Sequence, residues 1–286
     1  MTDRARDAAA RLLGVPATGS GSLGGATRVD LADGRTVVVK GGPGVAAEAA
    51  GLAWLAVPGA PGVPPVLAAD TSWLVTGYVE VGHGPVDDAP ERFGRALAAL
   101  HAAGAPAFGS PPPDGPADAW IGTAPMRNRP AHDWATWYAE DRIAPYLASA
   151  HDAGTLDRAD VALVERLCER LPGLAGPPEP PARLHGDLWS GNVLWPRRPG
   201  RAGACLIDPA AHGGHRETDL AMLALFGLPG LDRVLAAYDD VTPPAPGRPD
   251  RVALQQVFPL LVHVVLFGGG YRGQALAAVR TALGRG

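Results

Sequence analysis

Arg183-Leu184-His185-Gly186-Asp187-Leu188-Trp189-Ser190-Gly191-Asn192-Val193-Leu194-Trp195 is the stretch that decides the fold. It follows a cluster of prolines, Pro177, Pro178, Pro180 and Pro181, which cannot continue a helix and so set it apart as an element. Within it Asp187 stands two residues after His185 and five before Asn192. This spacing supplies what phosphoryl transfer asks of a protein. One carboxylate meets the attacking hydroxyl, and an amide oxygen helps hold a hard cation.

It is also the His-x-Asp-x-x-x-x-Asn spacing of a kinase catalytic loop, in which the Asp takes the proton and the Asn holds Mg²⁺. A second metal ligand is expected on a strand leading away from such a loop. Ala204-Cys205-Leu206-Ile207 is a short apolar run that reads as a buried strand, and it ends at Asp208. The segment between, 196–203, reads as a surface hairpin turn. Each aspartate alone would pass as an ordinary turn residue. Two Asp and one Asn in this order and spacing outweigh that alternative.

His185-Gly-Asp-Leu-Trp-Ser-Gly-Asn192, followed by Asp208-Pro-Ala-Ala-His-Gly-Gly-His-Arg-Glu-Thr-Asp-Leu-Ala-Met222, resembles the fructosamine kinase family, also called ketosamine-3-kinases. The loop alone would point only to the aminoglycoside-phosphotransferase-like branch of the protein-kinase fold. The Leu-Trp-Ser-Gly insert, Gly214-His215-Arg216-Glu217 and the late Leu266-Phe267-Gly268 narrow the resemblance, which runs from about Gly24 to about Tyr271. It implies an α+β, two-lobed protein-kinase-like fold, with a small β-rich N-lobe over residues 1–79 and a mainly helical C-lobe over 80–286. ATP and Mg²⁺ are the implied cofactors. The implied acceptor is a small ketosamine, or a glycated lysine or peptide, phosphorylated on the sugar's third hydroxyl and so marked for deglycation.

The chain has 286 residues and a net charge of −4 with no basic run, so nothing argues for nucleic acid or a membrane surface as partner. No signal peptide is apparent, and no apolar run reads as long enough to span a bilayer. Cys168 and Cys205 read as reduced core residues, which points to the cytoplasm. The oligomeric state is open and a monomer is compatible with the reading. Lys40 is the single lysine in a chain that otherwise uses arginine, and asparagine occurs only as Asn128 and Asn192. A compact ammonium and a planar guanidinium are not interchangeable at a phosphate, so a lone lysine suggests a position where arginine would not serve.

In chain order, residues 3–13 read as a helix and Gly19–Gly25 as a flexible glycine loop over phosphates, with Gly24 and Gly25 assigned to the nucleotide. Ala26–Leu31 and Thr36–Lys40 read as a hairpin turned at Asp33-Gly34. Glu48 lies on a helix, 46–56, and the resemblance gives it the role of pairing with Lys40; the alternative is a solvated residue paired with arginine. Ser72–Val79 reads as a strand leading to a hinge, with the adenine beside Gly77, Tyr78 and Val79. The family usually carries an acidic residue where this chain has Gly77.

Residues 89–103 read as an amphipathic helix ending near a packing or hydrogen-bonding His101. The stretch 104–130 is Pro/Gly-rich and too long for a simple connection, hence disordered or functional. Its end, Ile121–Asn128, is similar to a family segment near the acceptor, which makes Asn128 a substrate-side candidate; a turn asparagine is the alternative. Helices are expected over 132–150, 156–171, 219–226, 231–238, 251–267 and 271–283, with Thr218 or Asp219 capping the fourth-last and Asp219 bracing the catalytic loop. His215 and Glu217 sit just before that cap, placed to reach the acceptor, and Trp189 to pack on the sugar or its linker or else in the core. Other readings stay open at this point. They are another small-molecule kinase of the same branch, a silent nucleotide-binding module, and a protein kinase, the last disfavoured by the lack of an Asp-Phe-Gly or Ala-Pro-Glu segment.

Overall fold

Alternation in Thr27–Leu31 and Val37–Val39 puts Val29, Leu31, Val37 and Val39 on one face of a sheet, where they are buried with Val75 against Ala5 and Ala9 of the first helix. The computed structural model describes residues 2–198 and 200–284. Helix α1 (Thr2–Leu13) covers that face. Strands β1 (Ala17–Leu23), β2 (Ala26–Leu31) and β3 (Thr36–Gly41) come next, then helix α2 (Val45–Leu55). Strands β4 (Val66–Ala69) and β5 (Trp73–Gly77) complete an antiparallel sheet of order β1-β2-β3-β5-β4.

One expectation fails here. Gly19–Ser22 is not a loop but part of edge strand β1, paired residue by residue with β2, for example Ser20 with Val29. The turn shrinks to Gly24 and Gly25, Gly24 taking a φ of +59°. A Gly-Gly pair suits a two-residue hairpin turn. An edge strand of glycine and serine buries almost nothing, so its period leaves no hydrophobic trace.

Helix α3 (Ala89–Ala102) follows the sheet, and a hairpin of two four-residue strands, β6 (Asp118–Ile121) and β7 (Ala124–Arg127), lies inside the Pro/Gly-rich stretch. The helix expected over 132–150 is divided into α4 (Trp134–Trp137), a π-helical stretch (Tyr138–Ile143) and α5 (Ala144–Asp152). Pro145 lacks the N–H that would continue a regular ladder, and a π turn absorbs the loss.

Helix α6 (Arg158–Leu174) begins with a capping box between Asp157 and Asp160. The short strands β8 (Ala182–Leu184), β9 (Val193–Leu194), β10 (Cys205–Leu206) and β11 (His212–Gly214) carry the site. The turn expected over 196–203 includes Pro199, which lies outside the described residues. Helices α7 (Arg216–Leu225), α8 (Leu231–Val241), α9 (Arg248–Phe267) and α10 (Arg272–Gly284) complete the helical part.

Two large clusters fill that helical part: α4, α5, α6, α9 and α10 surround one, and α3, α8 and the loop 188–195 surround the other. The helical run 248–284 is long and apolar enough to cross a bilayer, contrary to expectation, with a window of mean hydropathy 1.7. Half of that window is buried inside the fold, where Val257, Phe258, Leu261 and Val264 pack against α5 and α10. Its hydropathy is that of a core helix.

Candidate active site

Strand β8 pairs with β11, which puts Gly186 beside Ala210: its φ is +82° and a Cβ there would lie 2.1 Å from the Ala210 carbonyl oxygen. Only glycine permits that approach. Asp219 then fixes the loop from beneath. Its Oδ2 accepts from the His185 N–H at 2.8 Å and its Oδ1 from the Gly186 N–H at 3.0 Å. His101 reaches the same carboxylate at 3.2 Å and Tyr238 at 2.9 Å. Burial opposes ionisation of Asp219, but the hydrogen bond and charge of His101 outweigh it and hold the carboxyl below its usual value. Asp219 braces the loop as expected, yet the cap of α7 is His215, whose Nδ1 accepts from the Glu217 N–H at 3.2 Å.

The His185 Nε2–H donates to the Ile207 carbonyl at 2.9 Å and its Nδ1 accepts from the Asp187 N–H at 3.3 Å. This neutral ring, kept so by burial, ties the loop to the residue before Asp208. Strands β9 and β10 form an antiparallel pair, and the Ile207 N–H donates to the Asn192 carbonyl at 3.1 Å, which brings Asn192 alongside Asp208. The Asn192 Nδ2 donates to the Asp187 carbonyl oxygen at 2.8 Å and carboxylate at 3.1 Å. That orientation leaves the amide oxygen as the group facing a cation. Burial pushes the Asp187 carboxyl up to about 7, the Asn192 bond offsetting part of this while Asp208 and Asp219 add to it.

From the sheet, the Lys40 ammonium meets Glu48 of α2 at 2.7 Å and also contacts Asp208. Burial works against its charge, but the two carboxylates prevail and raise its pKa. Asp208 has a φ of +56°, an unusual value for a non-glycine residue and one met at functional sites. No group of three or more His, Cys, Asp or Glu suited to a metal occurs among the described residues. A donor pair of one carboxylate and one amide oxygen fits Mg²⁺, which takes its remaining ligands from phosphates and water.

The other candidates divide. Gly24 and Gly25 form the exposed β1–β2 turn. At the end of β5 the Gly77 N–H donates to the Pro65 carbonyl at 3.0 Å and the Tyr78 N–H to the Thr36 carbonyl at 3.4 Å, with Val79 next in the chain. A Cβ at Gly77 would lie 3.1 Å from the Pro65 ring, so glycine here goes with that proline. Trp189 is 37% exposed and its ring lies across Gly191, where a Cβ would come within 2.1 Å of it.

Three substrate candidates are not on an open surface. Asn128 is 1% exposed and its Oδ1 accepts from buried Arg142 at 2.7 Å. Glu217 is buried in a two-bond pair with Arg251, at 2.6 and 2.8 Å, and His215 is buried as the cap of α7. Each supports the framework around the loop rather than facing an acceptor. The rings of Phe226, His263, Phe267 and Tyr271 continue outward from Trp189, a grouping that was not among the expected site residues. The four-residue steps from 263 to 267 to 271 were the available signal.

The family description that matches is fructosamine kinase, over residues 42–285. The chain belongs to the fructosamine kinase family. A solved structure described as a putative fructosamine-3-kinase from Thermobifida fusca is 46% identical with a TM-score of 0.89, covering 99% of both chains. A protein of Synechocystis named as a probable ketoamine kinase is 38% identical over 76% of this chain and 69% of its own length. An aminoglycoside phosphotransferase in complex with ADP and hygromycin B, at 15% identity, shares the fold alone; its TM-score is 0.63 over 96% of this chain and 98% of that one. The fructosamine kinase chain is thus a phosphotransferase of the expected two-lobed α+β type.

Proposed function

We propose that this fructosamine kinase moves the γ-phosphoryl group of ATP to the third hydroxyl of a ketosamine sugar. The observation that supports this most is the meeting of Asp187, Asn192, Asp208 and the Lys40–Glu48 pair at one site in a chain of this family. We take residues 1–79 as the N-lobe and 80–286 as the C-lobe. The nucleotide lies between them, with its phosphates under the Gly24-Gly25 turn. Gly77 and Tyr78 spend their N–H groups on the fold, which leaves the Val79 N–H for the adenine edge. Asn192 and Asp208 would hold Mg²⁺, which neutralises charge on the phosphates.

Lys40, oriented by Glu48, grips the phosphates as a point charge. Asp187 orients the acceptor hydroxyl and takes its proton as the new P–O bond forms and ADP departs. A phosphate on the third carbon is a leaving group next to the ketone. Loss of a proton from the first carbon gives an enol-amine that expels it as inorganic phosphate, and water then frees the amine. The role is therefore deglycation without any hydrolytic step by the protein. Free lysine adducts and short glycated peptides fit such a cleft, and two free cysteines suit a reducing, cytoplasmic setting. The test is ADP release with Mg-ATP and ribulose-lysine, fructose-lysine, choline or kanamycin offered separately. Turnover of the ketosamines is expected; turnover confined to choline or kanamycin overturns the acceptor assignment.

A further inference from the structure

Five aromatic rings run outward from the catalytic loop. The Trp189 and Phe226 ring centres are 6.1 Å apart, Phe226 and His263 are 5.1 Å apart, and His263 lies 4.9 Å from Tyr271 and 5.4 Å from Phe267. Trp189, Phe226 and Phe267 are exposed, Phe267 by 64%. A core would bury such rings, and a surface with no ligand has no use for a row of them. The row is anchored at the chemistry, because the Trp189 N–H donates to the Asp187 carbonyl at 3.1 Å and Gly191 makes room for the ring.

His263 adds a polar feature. Its Nδ1–H donates to the Pro259 carbonyl at 2.7 Å, which fixes the tautomer and leaves Nε2 as the lone-pair acceptor. Nε2 has no hydrogen-bond partner among the described residues. Burial keeps the ring below the usual histidine value, hence neutral and an acceptor. A cation arriving here meets ring faces and a lone pair. Such a surface binds ammonium groups.

On the reading that the acceptor is a ketosamine, we propose that this row is the subsite for the amine arm and favours arms ending in a second cation. With the sugar hydroxyl at Asp187, the secondary ammonium lies against Trp189, the alkyl arm crosses Phe226, and the terminal ammonium meets His263 Nε2, Tyr271 and Phe267. These three residues then set which amines are accepted, while Asp187 sets only the chemistry.

The test compares two fructosamines that differ only at the far end of the arm, those of cadaverine and of pentylamine, each with Mg-ATP. In the unaltered protein the cadaverine adduct should have a KM about tenfold lower at similar kcat, the size expected of one partly desolvated cation on ring faces. Phe267→Ala removes an exposed ring, and His263→Phe keeps the ring while deleting the acceptor. Each should shrink the advantage to about twofold or less, chiefly by raising the KM of the cadaverine adduct. Equal KM values in the unaltered protein, or an advantage that survives both substitutions, overturns the subsite while the ketosamine assignment stands. Failure to turn over either adduct overturns both.

Discussion

In the proposed mechanism Asp187 is the base, and its surroundings suit a group that takes up a proton near neutrality. Burial, with Asp208 and Asp219 adding to it, pushes its carboxyl up to about 7, and the hydrogen bond from Asn192 offsets part of this. Asp187→Asn keeps the shape and removes the base, so kcat should fall by roughly 10²–10⁴ with the thermal midpoint preserved. Steady-state kinetics beside thermal unfolding checks both halves. Lys40→Arg should also fail: a planar fork cannot occupy the point between Glu48 and Asp208 where the ammonium sits. Calorimetry with Mg-ATP should show binding at least tenfold weaker, and equal affinity would make the single lysine an accident of composition. Lys40, Asp187, Asn192 and Asp208, which the fold brings together, were legible in the sequence as a group because their residue types and spacing match a kinase pattern. Asn128, His215 and Glu217 were not, because rarity and nearness to a motif do not tell where a side chain points. Their partners, Arg142 for Asn128 and Arg251 for Glu217, come from other helical segments.

Between elements, the contact that matters most joins α2 to the segment after Asp208. A Cβ on Gly51 would lie 3.2 Å from Ala211 and 3.3 Å from Pro209, and Gly51 is one turn from Glu48. The closeness of this packing sets how far Glu48 stands from Lys40. Gly51→Val should push α2 outward and separate the ion pair, lowering kcat/KM about tenfold and costing roughly 1–3 kcal/mol of stability as overpacking does. Kinetics and urea unfolding of the variant measure the two effects; wild-type values for both would mean α2 is free to shift. The sequence showed most helices and the Asp33-Gly34 hairpin, where apolar periodicity and turn residues agree. It concealed β1, whose glycines and serines have no hydrophobic period, and the π stretch before Pro145, whose cause is a missing donor rather than a pattern.

The molecule as a whole carries several buried neutral histidines, and this sets its response to acid. Burial, with Arg142 nearby, pushes His212 down to about 3, and burial also lowers His185 and His215. Below the unfolded value of about 6.5 the unfolded chain binds protons that the folded chain refuses, so stability present above that pH is lost as pH falls toward 3. In Asp187→Asn, which removes the opposing proton uptake of the raised Asp187 carboxyl, His212 alone should remove about 2 kcal/mol between neutrality and about pH 5, read as a lower urea midpoint. An unchanged midpoint would mean that these rings gain water or a proton in the fold. The two-lobed plan was legible because one loop fixes the fold family, whereas the apolar run 248–284 showed its place in the core only through its neighbours. Where the phosphate goes is read by proton-coupled phosphorus NMR of the product formed from Mg-ATP and fructose-lysine. The account predicts a single phosphomonoester coupled to the proton on the sugar's third carbon, giving way to inorganic phosphate and free lysine. A phosphate on any other hydroxyl, or none on any ketosamine, would contradict it.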